Sequence, residues 1–591
     1  MYNSDGRVQS MLTSQTSRRG AATATVVALA AACSRQAAPA HTPSPWMRQP
    51  ASAVTDLVRS EELAGEVSRA IKGTLILGFR QRRPESIAAA LTTDFEGHLP
   101  MPGDAQWTRE GPVWLWRAPA PERLAILRRS EFLSRIEAWI ASLASLERAS
   151  WHPFRSLAEE GNDPFVVQAS HLDVAGVRPD GRRVELHATV RVEVVRSSGS
   201  WRMRRLAFEE ASWSQSELAP FQDVAGVTGF DFHTSERAKK IRQAVIDDRA
   251  MLTSGGLTAM DFDKNGHWDV LATQWDGQAV LFLNDGLGGF RRQKLPAIDA
   301  AAATSKFYLW LDLDNDGQEE LVGTQVLSPD GQTPAEVGLY TFKGGKMRRA
   351  KNALRFEAPP SMRRMDYEGI TACDVNADGL LDLFFMGYDH MESKRTIGED
   401  DGLRNLLFIN LGGLRFREEA VARGLPETRY SFVAECYDFD EDGDPDVLVG
   451  NDYGTNDYYE NLGKGQFKAD TAHPFHQGPG FSMGLSIADF DNVGHYSISI
   501  SNMYSHAGNR IVPLAEGLSP KKRKELMHFA GGNSLYERER SGWVDHGAAR
   551  GVNVSGWAWG NVFFDLDNDG DKDLYVVNGH NSHSDPSLPD F

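Results

Sequence analysis

Cysteine is scarce. Three occur in 591 residues, Cys33, Cys373 and Cys436, and Cys33 ends an apolar run, so at most one disulfide is internal to a folded part. A small disulfide-built scaffold is excluded. No run reaches 18 apolar residues, so no stretch is long enough to span a bilayer as a helix. Basic charge is missing from the C-terminal part: residues 221–591 hold 57 acidic and 36 basic side chains, against 24 and 27 in residues 1–220. That imbalance excludes nucleic acid as the partner of the acidic part, since phosphate binding needs Lys and Arg, and it suits cations. With 41% apolar and 24% charged residues the chain is ordinary globular material, long enough for several domains.

The N-terminus reads as an export signal at 1–33. Arg18-Arg19 precede a 12-residue apolar run, Ala21 to Ala32. Leu29-Ala30-Ala31-Ala32-Cys33 resembles a bacterial lipobox, with Ala30 where Leu is usual, and makes Cys33 the expected lipidation site. Ser17-Arg18-Arg19 is similar to part of a twin-arginine signal, and Ala38-Pro39-Ala40 offers the alternative of simple cleavage and a soluble secreted product. The expected location is the bacterial periplasm or cell surface, with membrane contact only through the anchor. Residues 34–54, rich in Ala, Pro, Ser and Gln, read as a flexible tether.

Residues 55–215 read as a smaller α+β domain. Leu57, Val58, Leu63, Val67, Ile71, Leu75 and Phe79 recur at helical spacing within 56–92, and Phe132, Ile136, Ile140 and Leu143 do so within 131–146. Val184, Leu186, Ala188, Val190, Val192 and Val194 alternate as in a half-buried strand. On the next strand Trp201 and Met203 have one parity and Leu206 and Phe208 the other, which predicts a bulge at Arg204-Arg205. Helices followed by long antiparallel strands resemble the nuclear-transport-factor-2-like cone, a fold that can hold an enzyme pocket. However, residues 51–230 contain no tyrosine to serve as a phenolic donor, and His98, His152, His171 and His187 form no recognisable set. A packing or partner-binding module is the favoured reading.

From residue 220 onward one pattern recurs, D-x-[DN]-x-[DN]-G-x-x-[DE]. Its complete copies are Asp261, Asp263, Asn265, Gly266 and Asp269; Asp312, Asp314, Asp316, Gly317 and Glu320; Asp374, Asn376, Asp378, Gly379 and Asp382; Asp438, Asp440, Asp442, Gly443 and Asp446; and Asp565, Asp567, Asp569, Gly570 and Asp573. A degraded copy keeps Asp489 and Asp491 but has Val493 and Ser497 in place of two donors. Oxygen donors at alternate positions of a tight loop converge on one point, and Ca²⁺ takes six to eight oxygens at about 2.3–2.6 Å. An EF-hand is excluded, because its twelfth position needs Glu and here holds Ala272, Gly323, Phe385, Val449 or Val576. The flanks are strand-like, so the loop sits in a β-hairpin. Like charges crowded at each loop predict that Ca²⁺ stabilises the fold, with an affinity of about 10⁻⁴–10⁻³ M or somewhat tighter.

Most loops are followed by a short aromatic strand, a Gly-rich turn and another aromatic: Phe282-Leu283-Asn284 to Phe290, Phe408-Ile409-Asn410 to Phe416, Tyr459-Glu460-Asn461 to Phe467. The unit is a four-stranded antiparallel sheet that cannot bury both faces alone, so the copies must stack. These residues resemble the FG-GAP/VCBS-repeat β-propellers, which include the integrin α-subunit head. Phe221-Gln222-Asp223-Val224-Ala225, Phe416 to Gly424, Trp543 to Gly551, and Gly556-Trp557-Ala558-Trp559-Gly560 ahead of Asp565 are nearest to the cartilage-acidic-protein type. The resemblance implies a mainly β fold, a propeller of six or seven four-stranded blades over 220–591, acting as an exported, calcium-loaded binding platform. Six copies are countable, the interval 489–565 is the one roomy enough for a seventh, and Phe221–Gly226 is expected to supply an outer strand to the last sheet, since the chain stops mid-unit at Phe591.

Cys373 stands one residue before its loop's first Asp and Cys436 two before, so opposite parity predicts opposite sheet faces and no mutual disulfide. His473/His476 and His580/His583 are weak candidates for a transition metal, Trp557 and Trp559 read as packing, and Lys521-Lys522-Arg523-Lys524 reads as a solvated helix start. The leading functional reading is a non-enzymatic adhesion platform for a protein or glycan partner, of unspecified oligomeric state. A polysaccharide lyase or hydrolase working at the propeller's central mouth is the second, and a small-ligand cone with an apolar pocket within 55–215 the third.

Overall fold

The structure is a computed structural model. It describes Met47 and residues 57–102, 107–110, 113–159, 164–217, 224–233, 236, 255–273, 279–294, 307–326, 335–343, 346–358, 365–390, 401–476, 480–513, 515, 517–566 and 569–578. The signal, Cys33, the tether apart from Met47, Phe221–Asp223, Asp567, His580 and His583 lie outside the described residues. Two compact units are present, one built mainly on residues before Pro220 and the other on those after it. Among the described residues no helix is long and apolar enough to cross a membrane.

In the first unit the periodic segment 56–92 is broken rather than continuous. Helix Leu57–Ile71 runs through a π-turn, Lys72–Ile76, into Leu77–Arg80; Arg82 then adopts φ 55°, and Pro84 opens a fresh turn at Pro84–Ala89. Helix Arg129–Ala141 ends before the strand that starts at Ser145, five residues short of the expected end. Four long antiparallel strands, Ser145–Glu159, Phe165–Val177, Arg183–Ser197 and Ser200–Ser216, form one sheet. The predicted bulge is real: Glu193 pairs with Arg205 and Val194 with Met203, which leaves Arg204 unmatched and brings Met203, Leu206 and Phe208 into one core. Valines 184 to 194 of even number fill that core with Phe132, Ile136 and Trp139. The space left inside, lined by Leu75, Phe79, Phe132 and Trp213 among others, is about 30 Å³, about the volume of one water. A wider cavity of about 580 Å³ lies elsewhere in the same unit, lined by Leu99, Met101, Leu115, Trp116, Arg117 and Arg135 among others.

Among the described residues the second unit contains six sheets, of four, five, four, five, four and two strands. In the first sheet, Gly256–Met260, Asp269–Thr273, Ala279–Asn284 and Phe290–Lys294 follow the predicted order of strand, acidic loop, strand, strand, Gly-rich turn, strand. Stacking explains why the second strands read as unbroken apolar runs. Leu383 and Phe385 pack towards the second sheet with Val322 and Leu339, while Phe384 and Met386 pack towards the fourth with Val447 and Val449. The first strands of successive sheets touch one another from Gly256–Met260 through to Ala558–Phe564.

Three expectations change here. Cys373 and Cys436 form a disulfide, with Cα atoms 6.3 Å apart. Opposite parity does point them to opposite faces of equivalent strands, but in a stack the facing surfaces of neighbouring sheets are opposite faces: Cys373 faces forward, Cys436 faces back, and both join the core between the third and fourth sheets. The long interval 489–565 holds no further described sheet; it carries helices His506–Ile511 and Pro520–Phe529 between the second and third strands of the fifth sheet. The segment after Asp223 is helical at Ala225–Thr228 rather than a strand. Its Gly229, at φ 80°, abuts the Phe290 carbonyl of the first sheet as Gly424, at φ 94°, abuts that of Phe467 in the fourth, and a Cβ at either would collide with that oxygen.

Candidate cation-binding loops

Every acidic loop is folded by the same hydrogen bonds. The first Asp turns inward and accepts two backbone N–H groups, from the fifth and sixth positions. In the first loop Asn265 and Gly266 donate to Asp261 at 3.0 and 2.9 Å, and in the fourth Asp442 and Gly443 donate to Asp438 at 3.0 and 2.9 Å. The same pair recurs at Asp312, Asp374 and Asp565. It recurs at Asp489 too, where Val493 and Gly494 donate at 3.0 Å, so the turn forms without the donors that copy has lost. The fourth position is left-handed throughout the described loops, at Lys264, Asn315, Ala377, Glu441 and Asn492, with φ between 56 and 68°. Glycine at the sixth, with φ 85° at Gly266 and 98° at Gly443, completes the bend.

The ninth-position acid is the buried member. Asp269, Glu320, Asp382 and Asp446 are all nearly inaccessible. Asp446 accepts from the N–H of Phe439 at 3.2 Å, from that of Asn461 at 2.8 Å and from the Tyr458 hydroxyl at 2.7 Å. Asp269 and Asp382 repeat the pattern with Phe262 and Asn284, and with Val375 and Asn410. Glu320 holds the Leu313 N–H at 3.0 Å.

Carboxylates are drawn together at three of these loops. Oxygens of Asp261, Asp263 and Asp269, of Asp312, Asp314 and Asp316, and of Asp438, Asp440 and Asp446 lie within 4.8 Å of one another in each set. Asp374, Asp378 and Asp382 form no such group among the described residues, and Glu320 stands outside its loop's triad. Burial, joined by repulsion from Asp314, Asp316 and Asp312, pushes Glu320 up to about 7 against the pull of the Leu313 N–H. Asp382 and Asp446 are each raised to about 6, chiefly by burial. Asp314 and Asp440 are raised as well, by burial and then by neighbouring aspartates. Asp314 Oδ1 is buried with no hydrogen-bond donor. Hard oxygen ligands, mutual repulsion and an orphaned carboxylate oxygen fit a divalent cation such as Ca²⁺.

Sequence reasoning missed the work of the asparagine that ends the aromatic strand in the first, third and fourth sheets. Asn410 Nδ2 donates to the Leu313 carbonyl of the preceding sheet's loop at 2.7 Å and to Leu381 at 3.0 Å, while its Oδ1 accepts from Gly412 at 3.0 Å. Asn461 does the same with Val375, Pro445 and Gly463. In the fifth sheet Arg538 and Trp543 donate to the Phe439 carbonyl instead, at 2.7 and 3.1 Å. Loop tips are tied too, by Lys264 to the Gly317 carbonyl at 2.9 Å and Asn315 to that of Gly379 at 3.1 Å. The signal was the Phe-x-Asn and Tyr-x-Asn recurrence, but a contact between copies has no trace in one copy's spacing.

The histidine candidates separate. His473 lies on Tyr458, ring centroids 4.1 Å apart, and burial pushes it down to about 4; His476 turns to Asp457 at 3.8 Å. Trp559 packs edge-on against Phe432. In the first unit His187 bonds Asp173 at 2.8 Å and Glu185 at 3.2 Å on the polar side of its strand.

Among solved structures, the chain is similar to a conserved protein from Planctomyces limnophilus, at 18% identity and TM-score 0.19, covering 25% of this chain and 94% of that one. It is similar also to Aln2 from Streptomyces sp., at 18% identity and TM-score 0.19, covering 25% and 91%. A ketosteroid isomerase-like protein from Erwinia carotovora atroseptica matches at 17% identity and TM-score 0.18, covering 25% and 96%. None of the curated proteins matches the sequence. The acid-rich hairpins match a family model directly, and the chain carries FG-GAP-like repeats at residues 261–323 and 438–495.

Proposed function

We propose that residues 220–591 form a calcium-loaded β-propeller of six or seven blades that serves as a binding platform for a protein or glycan partner. The platform belongs to an exported protein anchored through Cys33. The observation that carries this is the convergence of three carboxylates to within 4.8 Å at each of three loops, one of them, Asp314 of the second loop, having Oδ1 buried without a hydrogen-bond donor. Asp261, Asp263 and Asp269, with the amide oxygen of Asn265, would hold the ion at the first loop, and the equivalent residues at the others. Bound Ca²⁺ supplies charge neutralisation where burial and repulsion now raise the carboxylates. The role is structural: the loops join strands whose neighbours are tied by Asn410 and Asn461. The Cys373–Cys436 bond suits an oxidising compartment and so supports export. For the first unit, whose four histidines form no recognisable set, packing or partner binding remains the favoured reading.

A thermal melt of the purified chain in Ca²⁺, in Mg²⁺ and in chelator tests the reading. Ca²⁺ alone should raise the midpoint, and Asp440→Asn should reduce the rise. A midpoint indifferent to Ca²⁺ in metal-stripped protein would overturn it.

A further inference from the structure

The basic run Lys521-Lys522-Arg523-Lys524 is not merely a solvated helix start. Helix Pro520–Phe529, capped by the Ser519 hydroxyl on the Lys522 N–H at 3.1 Å, divides these side chains between tasks. Arg523 donates to the carbonyls of Val512, Pro513 and Ala515 and pins the inserted segment. Lys522 pairs with Glu525 at 3.1 Å. Lys524 has no such duty and lines a pocket of about 450 Å³ together with Met527, His528, Tyr536, Asp545 and Asn553. Lys524 and His528 are four residues apart, hence on one helix face. His528 Nε2 is shielded from solvent yet has no hydrogen-bond partner. Asp545 spends Oδ1 on the N–H groups of Leu535 and Gly547, at 3.1 and 2.8 Å.

The chemistry narrows the ligand. An unpaired ammonium on a domain of net charge −21 is a local exception that only an anionic group would exploit. Burial, and then Lys524 itself, lower His528, so the pocket presents one cation and a neutral imidazole. A carboxylate at Asp545 repels a second negative charge and calls for a hydroxyl donor. The volume falls in the lower part of the roughly 300–1,000 Å³ range of small-molecule sites. We propose that this pocket binds a polyhydroxylated monocarboxylate, a sugar acid, with its carboxylate on Lys524 and its hydroxyls on His528 and Asp545. The assignment deepens the platform reading and rests on it.

Titration calorimetry of the full chain in Ca²⁺ with glucuronate, glucose and inorganic phosphate tests it. Glucuronate should bind at least about tenfold more tightly than glucose or phosphate. Lys524→Ala and His528→Ala should each weaken glucuronate about tenfold or more, and Lys521→Ala should not. Lys524 is exposed, so its variant should melt with the wild type. Glucuronate binding unchanged in Lys524→Ala, equal binding of glucose, tighter binding of phosphate, or no glucuronate heat at all would overturn the assignment. A Ca²⁺-dependent melt in the same sample would show the platform standing while the pocket fails; loss of that dependence would mark failure of the platform instead.

Discussion

Removing the bond between Cys373 and Cys436 is the perturbation whose cost can be worked most directly. The two cysteines are 63 residues apart in sequence. Closing a loop of that length restricts the unfolded chain by about 4 kcal/mol at 25 °C in the chain-entropy treatment. The bond also joins adjacent sheets at a core containing Phe384, Ala434 and Val447, so the folded state needs no rearrangement to form it. The double variant Cys373→Ala/Cys436→Ala should therefore lose about 2–4 kcal/mol, the lower figure allowing for residual structure in the unfolded chain. Urea unfolding followed by tryptophan fluorescence measures the loss as a lower midpoint with a steeper slope, because the uncrosslinked denatured chain is more expanded. Alkylation of the denatured, unreduced chain should label neither residue. Two labelled thiols, or a midpoint equal in variant and wild type, would refute the stacked-sheet reasoning that pairs opposite parities.

Asn410→Ala should cost about 2–4 kcal/mol, because it strands the buried Leu313 carbonyl, the half-buried Leu381 carbonyl and the Gly412 N–H, and a chemical melt should show it. Gly424→Ala should cost about 2 kcal/mol or more by the same assay, since φ is 94° and the Phe467 carbonyl occupies the space a methyl needs. His187 is raised to about 9, first by its hydrogen bond to Asp173 and then by that to Glu185. A raised pKa means the folded state holds the proton more tightly. The contribution is full below about pH 6.5 and fades as pH rises through 9. With its side chain 32% exposed the contribution is discounted for screening to about 1–2 kcal/mol. Wild type should lose that amount between pH 6.5 and 9 relative to His187→Gln, and parallel pH profiles would reject it.

Spacing made the acidic loops legible because the bonds that shape the turn are local: the first Asp reaches four and five residues ahead, and the ninth acid reaches back seven to the second residue of its own loop. The valines at 184–194 and the bulge at Arg204 were legible for the same reason, since side-chain parity is a property of one strand. What escaped depends on a neighbour. The partner of Cys373 is set by which face the next sheet presents, and the work of Asn461 is done on Val375 in another copy. Leu77–Arg80 and Pro84–Ala89 looked continuous with the first helix because their apolar residues keep the period, although Arg82 and Pro84 break the backbone between them. The basic run at 521–524 looked uniform, and only the insertion between two strands separates Arg523 from Lys524.

The central claim is that the acidic loops are cation sites. Calcium counted by metal analysis and calorimetry on chelator-stripped, Ca²⁺-reloaded protein tests it most directly. The account predicts saturation at five ions, one for each complete copy of the motif, falling by one in Asp440→Ala, which removes an oxygen donor that Asn376 still supplies in the third copy, and unchanged in Asp491→Asn. A reloaded protein that holds no calcium, or one whose count is the same in Asp440→Ala, would contradict it.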